Sequence, residues 1–312
     1  MAAITAALVN ELRQKTGAGM MQCKKALTEA DGNIEEAVTI LRKTLSGKQG
    51  VKAMERTASE GSVFARVSDD KQRGVIIELN SETDFVARNE QFKAIGKTLV
   101  DKILAYAPGT VPTDLEAFLN DSHDGMTVAA FINDAAATIG EKVALTRFTR
   151  FGAPEGNAVA VYVHNPGGSG DEGGKIGVLV ETSGADKEVI SNLAREIALH
   201  ISSANPTHLN ETDVPAETIE KEREVALAQA QNDPKMAGKP QGAIDAMVNG
   251  RVRVFLEESV LLKQKYIRDD SLTIDALVKK TPGASVVRFM RYKLGETQAV
   301  ATTTEGDEEA TA

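Results

Sequence analysis

Glu78-Leu79-Asn80-Ser81-Glu82-Thr83-Asp84-Phe85-Val86-Ala87-Arg88 is the stretch on which the reading of this chain turns. Before it, Gly74-Val75-Ile76-Ile77-Glu78-Leu79 is the short apolar run of a buried strand; after it, Phe92, Ile95, Leu99 and Ile103 recur at helical spacing. The stretch is therefore a strand-to-helix turn. Two readings of its centre stand open. In one, Asp84 caps the free N–H groups at the helix start, and Phe85 joins Phe92 and Leu99, at seven-residue spacing, in the core. In the other, the carboxylate and the ring face outward to a partner.

Outward from this turn, the strands come in hairpins. Val63, Ala65 and Val67 alternate, Asp69 to Gly74 supplies turn residues, and Val75, Ile77 and Leu79 alternate again. The pattern recurs later: Val159, Val161 and Val163, a Gly-rich turn, then Ile176, Val178 and Val180, followed by a helical stripe of Val189, Leu193, Ile197 and Ile201. Gly74-Val75-Ile76-Ile77-Glu78 matches Gly177-Val178-Leu179-Val180-Glu181, and Glu60-Gly61-Ser62-Val63 matches Glu155-Gly156-Asn157-Ala158. These repeats predict two related hairpin-plus-helix halves packed side by side, an α+β class with antiparallel sheets. Val286 to Leu294 alternates and is expected to return to the second sheet, after a short helix over Ser271 to Val278.

The flanks are helical. Ile4, Leu8 and Leu12, then Met20 to Ala30, then Ile34, Ala37, Val38 and Leu41 predict a three-helix bundle over residues 1–45, with Asn33 capping the third helix. Gly17-Ala18-Gly19 leads into Met20 and Met21. Adjacent helical positions point about a hundred degrees apart, so both cannot share one buried face. Exposed, a flexible thioether suits docking. The expected order is then a linker over 46–61, a first core subdomain over 62–142, and a second over 143–210 and 263–296. The second is interrupted by a helical hairpin over 211–262, and an acidic tail over 297–312 is too poor in apolar residues to fold. The hairpin's first arm carries a thin stripe, Ile219, Val225 and Leu227 among Glu and Lys, so it is expected to project or to pair with another chain.

Composition excludes several classes. A net charge of −9 over 312 residues argues against a broad nucleic-acid face, since phosphate binding needs clustered Lys and Arg, and a protein partner fits better. One cysteine, Cys23, excludes an internal disulfide and a cysteine metal cluster and suits a reducing cytosol. No apolar run approaches bilayer length, and Met1 opens no leader pattern. The expected location is the cytoplasm, with a processed organelle protein as the alternative. Gly168-Ser169-Gly170-Asp171-Glu172-Gly173 has dinucleotide-loop spacing but is followed by a strand and carries two acids, which reads as a hairpin turn. Gly96-Lys97-Thr98 lies within a helix and lacks the upstream glycine of a phosphate loop. His123, His164, His200 and His208 show no ligand spacing and no paired nucleophile, so no cofactor, metal site or enzymatic chemistry is expected.

The Glu78 to Arg88 stretch resembles a signature of the bacterial elongation factor Ts family. Leu12-Arg13-Gln14-Lys15-Thr16-Gly17-Ala18-Gly19-Met20-Met21-Gln22-Cys23-Lys24-Lys25-Ala26-Leu27 is similar to that family's N-terminal signature, and Ile139 to Arg147 is similar to a third family stretch. The resemblance covers roughly Ile4 to Glu296. It implies a guanine nucleotide exchange factor that binds elongation factor Tu carrying GDP. Thr83, Asp84, Phe85 and Val86 would disturb the partner's magnesium and nucleotide site, Met20 and Met21 of a UBA-like bundle would dock on its GTPase domain, and His164 would face it. The hairpin is implied to be a coiled-coil dimerisation module, with a homodimer or a two-to-two complex left open. The tail departs from the best-known members, which end in a further partner-binding helix. The rival from another class is a helical adaptor acting through the N-terminal bundle, which leaves the Asp84-Phe85 turn without a purpose.

Overall fold

A computed structural model of the chain describes residues 4–16, 20–45, 58–165, 173–233 and 238–296. The Gly17–Gly19 turn, most of the 46–61 linker, most of the Gly168–Gly173 turn, residues 234–237 at the hairpin apex and the 297–312 tail lie outside the described residues. The class is mixed α+β.

Three helices, α1 (Ala6–Thr16), α2 (Met20–Glu29) and α3 (Ile34–Leu45), pack around Leu12, Cys23, Ala26, Leu27, Ala37 and Leu41, a core separate from the rest. The Asn33 side chain accepts from the amides of Glu35 and Glu36 at 3.0 and 3.3 Å, satisfying two free donors at the start of α3.

The first sheet has β1 (Glu60–Val67) and β2 (Arg73–Ser81) as expected, and gains β5 (Val143–Gly152), giving the antiparallel order β1-β2-β5. This corrects the boundary at residue 142. The segment 143–152 pairs along β2, Ser81 with Val143 and Gly74 with Phe151, and so belongs to the first half. The second sheet joins β6 (Asn157–His164) and β7 (Ile176–Ser183) with the returning strand β10 (Ser285–Lys293) in the order β10-β7-β6. Each sheet carries helices on one face. On the first lie α4 (Asp84–Ala87), α5 (Glu90–Ala105), α6 (Leu115–Asn120) and α7 (Val128–Ile139), the last preceded by the two-residue strands β3 (Ser122–His123) and β4 (Met126–Thr127). On the second lies α8 (Lys187–Ala204). Its buried stripe is Ile190, Leu193, Ala194, Ile197 and Ile201; Val189, expected inside, is exposed, since a run of strict four-residue steps drifts about 40° per step around a 3.6-residue helix and its first member leaves the buried face.

The two halves meet face to face, not side by side. Val63, Ile76 and Phe151 of the first sheet pack against Val159, Leu179 and Tyr292 of the second. Both central strands are consequently buried on both faces. In β2, Val75, Ile77 and Leu79 meet helices while Ile76 meets the other sheet. The repeated glycines have a steric cause. A Cβ on Gly74 would lie 2.5 Å from a methyl of Val159, and one on Gly177 would lie 2.5 Å from a methyl of Val63. The repeated glutamates have an electrostatic one. Glu78 and Glu181, both buried, each accept from the Nε of an arginine on the neighbouring strand at 2.7 Å, Arg147 for Glu78 and Arg288 for Glu181. Each guanidinium then lies over a ring of the opposite half, Arg147 3.9 Å from the centre of Tyr292 and Arg288 4.2 Å from that of Phe151. A buried carboxylate without such a partner is strongly destabilising.

Two long helices, α9 (Ala216–Asn232) and α10 (Gln241–Ser259), pack together, with Ala226 and Ala230 buried on the first and Val248, Val252 and Leu256 on the second, while Val225 is exposed. The described chain then forms β8 (Lys265–Tyr266), β9 (Asp269–Thr273) and α11 (Ile274–Lys279) before β10. The expected helix from Ser271 therefore starts later, where the Thr273 hydroxyl accepts from Ala276 N at 3.1 Å. No helix of the described residues is long and apolar enough to cross a membrane.

Candidate partner-binding site

The turn after β2 is a separate one-turn helix. Thr83 is extended (φ −124°, ψ 155°), and its hydroxyl accepts from Val86 N at 3.4 Å, making it the N-cap. Asp84, the cap in one of the two readings, is instead the first helical residue, and its carboxylate accepts from Arg88 at 3.1 Å on the solvent side. Arg88 ends α4. Asn89 then caps α5 through Gln91 N at 2.8 Å, so the two helices are distinct and the seven-residue spacing across them carries no shared face.

That break decides between the two readings of Phe85. Its side chain is 81 % exposed, whereas Val86 and Ala87 next to it are buried with Phe92 in the core of the first half. The expected site residues therefore divide. Phe85 and Asp84 face outward. Val86, expected with them as a contact residue, faces the core, because a four-residue helix on a packed sheet has one inward side. Thr83 spends its hydroxyl on α4 and on Glu141, whose carboxylate lies 2.9 Å from it.

Met20 and Met21 open α2, 54 % and 75 % exposed, because Cys23, Ala26 and Leu27 take the inner face. Both thioethers lie outward, beyond the minimum of one that helical geometry required. His164 is exposed at the end of β6, with its Nδ1 3.1 Å from the hydroxyl of Tyr162. The candidate residues thus occupy three elements, α2, α4 and the end of β6. The other histidine of note, His200, is buried on α8 and held by Gln264 at 2.9 Å, a structural place. Burial lowers its pKa, against the hydrogen bond to Gln264. Among the described residues no group of three or more His, Cys, Asp or Glu is arranged to hold a metal ion.

What the turn offers is an apolar ring held in water beside a carboxylate, on a backbone anchored from below. An exposed phenyl ring performs no bond chemistry, and what it can offer chemically is apolar area to another surface. Comparison with known proteins places the chain in a family. A family model described as Elongation factor TS matches residues 82–296, beginning at this turn. Elongation factor Ts of Alkalilimnicola ehrlichii is 40 % identical over 294 residues, covering 94 % of this chain and 93 % of its own length. Elongation factor Ts of Streptomyces griseus is 42 % identical over 297 residues, covering 95 % and 100 %, and that of Syntrophotalea carbinolica 43 % over 302, covering 94 % and 93 %. Matched by proteins of one kind along nearly its whole length, the N-terminal bundle included, the chain belongs to the elongation factor Ts family.

Proposed function

We propose that this protein is the guanine nucleotide exchange factor of translation elongation, binding elongation factor Tu with GDP and promoting GDP release through the Thr83–Val86 turn. The observation that carries this reading is Phe85, exposed on a one-turn helix whose neighbouring side chains are buried. Exchange requires that the factor bind the nucleotide-free partner more tightly than the GDP form, because the two ligands weaken each other reciprocally. A ten-thousandfold loss of GDP affinity corresponds to about 5.5 kcal/mol of differential binding. One buried Phe supplies roughly 1.5–3 kcal/mol, so several contacts act together.

In this reading Phe85 inserts beside the partner's nucleotide site, and the negative charge of Asp84 competes around the bound magnesium ion. Met20 and Met21, on a bundle that resembles a UBA-like module, dock on the GTPase domain. His164 adds a contact from the second half. The α9–α10 pair acts as a coiled-coil module for self-association or peripheral contact, giving a homodimer or a two-to-two complex. The protein turns over no covalent bond and is not an enzyme. The deciding experiment is release of a fluorescent GDP from purified elongation factor Tu with and without this protein. Acceleration is expected; none at micromolar concentration refutes the reading.

A further inference from the structure

The stretch Ile139 to Arg147 carries, so far, only the junction of α7 and β5. Gly140 ends α7 in the left-handed region (φ 87°, ψ 5°), with its N–H donating to Ala136 O at 2.8 Å. This reversal brings Glu141 alongside the end of β2, two residues before Val143 pairs with Ser81. There the Glu141 carboxylate accepts the Thr83 N–H at 3.1 Å and the Thr83 hydroxyl at 2.9 Å. The adjacent pair is reciprocal: Lys142 N–H donates to the Glu82 carboxylate at 2.7 Å. The Ser81 hydroxyl donates to Thr83 O at 2.9 Å.

All three polar groups of Thr83 are thereby held. A hydroxyl has one proton and two lone pairs. With the proton given to Glu141, a lone pair is left for Val86 N–H, so the carboxylate orients the cap of α4. Four residues are too few to hold a helix unaided. The direction in which Phe85 points is set by whatever fixes Thr83 and by the buried Val86 and Ala87.

We infer that Glu141 is a positioning residue for Phe85, fixing the turn in the free protein so that the ring meets its partner without an ordering cost. This rests on the exchange-factor reading, in which Phe85 is the contact at the nucleotide site. Glu141 touches neither nucleotide nor partner in this scheme; it acts through Thr83.

The test uses the full chain with Glu141→Ala, Glu141→Gln, Phe85→Ala and the Phe85→Ala/Glu141→Ala double variant. Amide hydrogen exchange over residues 83–87 is read in the free protein, and fluorescent-GDP release from elongation factor Tu is read over a concentration series. Glu141→Ala is expected to speed those amides and to lower the maximal release rate roughly tenfold, the scale of lost hydrogen bonds to a charged group. The half-saturating concentration should stay within about twofold, since the other contacts are untouched. Glu141→Gln, keeping one acceptor oxygen, should recover most of the rate. In the Phe85→Ala background Glu141→Ala should cost nothing further, because its effect has no ring left to act through. A merely stabilising role would instead give additive losses in the double variant, and that result overturns the inference. So does faster amide exchange with unaltered release. If Glu141→Ala does not fold, Glu141→Gln decides, since its amide protection and maximal rate must move together. Unchanged release by Phe85→Ala alone removes the exchange-site reading itself, whereas impaired Phe85→Ala beside a normal Glu141→Ala removes only the role of Glu141.

Discussion

Replacing Phe85 by Ala separates a contact residue from a packing residue, and the structure supplies both the expected size and a control. Truncating a fully buried Phe costs about 3–5 kcal/mol. With 81 % of the Phe85 side chain already in water, only about a fifth of that burial is at stake. The stability loss should stay below about 1 kcal/mol, a shift of at most a few degrees in melting temperature for a chain of this size. Phe92, seven residues on and fully buried in the first core, should show the full penalty when changed to Ala. Function should divide the other way. If the ring is buried only when the partner has lost its nucleotide, its removal forfeits roughly 1.5–3 kcal/mol of differential binding. That is about ten- to hundredfold in the rate of GDP release. The assay pairs denaturant melts of both variants with fluorescent-GDP release normalised to folded protein. A Phe85→Ala variant as unstable as Phe92→Ala, with normal release per folded molecule, would refute the reasoning.

Gly177→Val is expected to destabilise by about 1–3 kcal/mol through overpacking, because even its Cβ would sit 2.5 Å from Val63 and 2.9 Å from Ile76; equilibrium unfolding measures it. Arg288→Met leaves the buried Glu181 carboxylate with its hydrogen bond from Asn157 at 2.7 Å but without the half-exposed guanidinium, and should cost about 1.5–3 kcal/mol, much of it recovered when Glu181→Met is added; an unchanged denaturation midpoint in the single variant would count against the pairing. His200 has a folded-state pKa below its ordinary 6.5, so its contribution to stability is complete above pH 6.5 and declines as the pH falls below that value. Denaturation midpoints should therefore drop from pH 7 to pH 5, with a shallower slope in His200→Gln. Met20→Ala/Met21→Ala should leave the melting temperature nearly unchanged, given their exposure, and raise the concentration needed for half-maximal GDP release.

Much of the fold was legible because its signals are local. The alternation in β1, β2, β6 and β7 and the stripes of α5 and α8 each lie within one element, and the repeated Gly-to-Glu pentapeptide marked the two halves. What escaped was non-local. The segment 143–152 looked like the entry to the second half because it follows α7 directly; its place is set by pairing with a strand more than sixty residues earlier. Face-to-face packing was written in Gly74 and Gly177, which meet Val159 and Val63 of the opposite sheet, and in Glu78 and Glu181, whose Arg147 and Arg288 partners lie over rings of the opposite half; alternation marks strands but not which faces meet. At the turn, Thr83 and Asp84 are both good capping residues, and sequence cannot choose between them. The choice is made by Glu141, 58 residues away, which draws the Thr83 hydroxyl and leaves Asp84 to Arg88. Phe85 and Phe92 shared a spacing without sharing a helix.

The division between α2 and α4 follows from what a contact must do to release a nucleotide. A contact made equally with the GDP-bound and nucleotide-free partner raises affinity for both and shifts nothing between them. Met20 and Met21 are unbranched, flexible and attached to a bundle with its own core, so they can follow a surface as it moves. In the proposed function such contacts hold the partner. Phe85 stands on a turn whose backbone is tied to the sheet by Val86, Ala87 and Thr83, so that backbone cannot follow a moving surface without disturbing packed residues. A rigid group fits one arrangement of the partner and clashes with another, which is the property that turns binding energy into a preference between states. In the proposed function the flexible apolar groups would therefore set how much protein is needed, and the anchored one how fast the nucleotide leaves once the complex has formed.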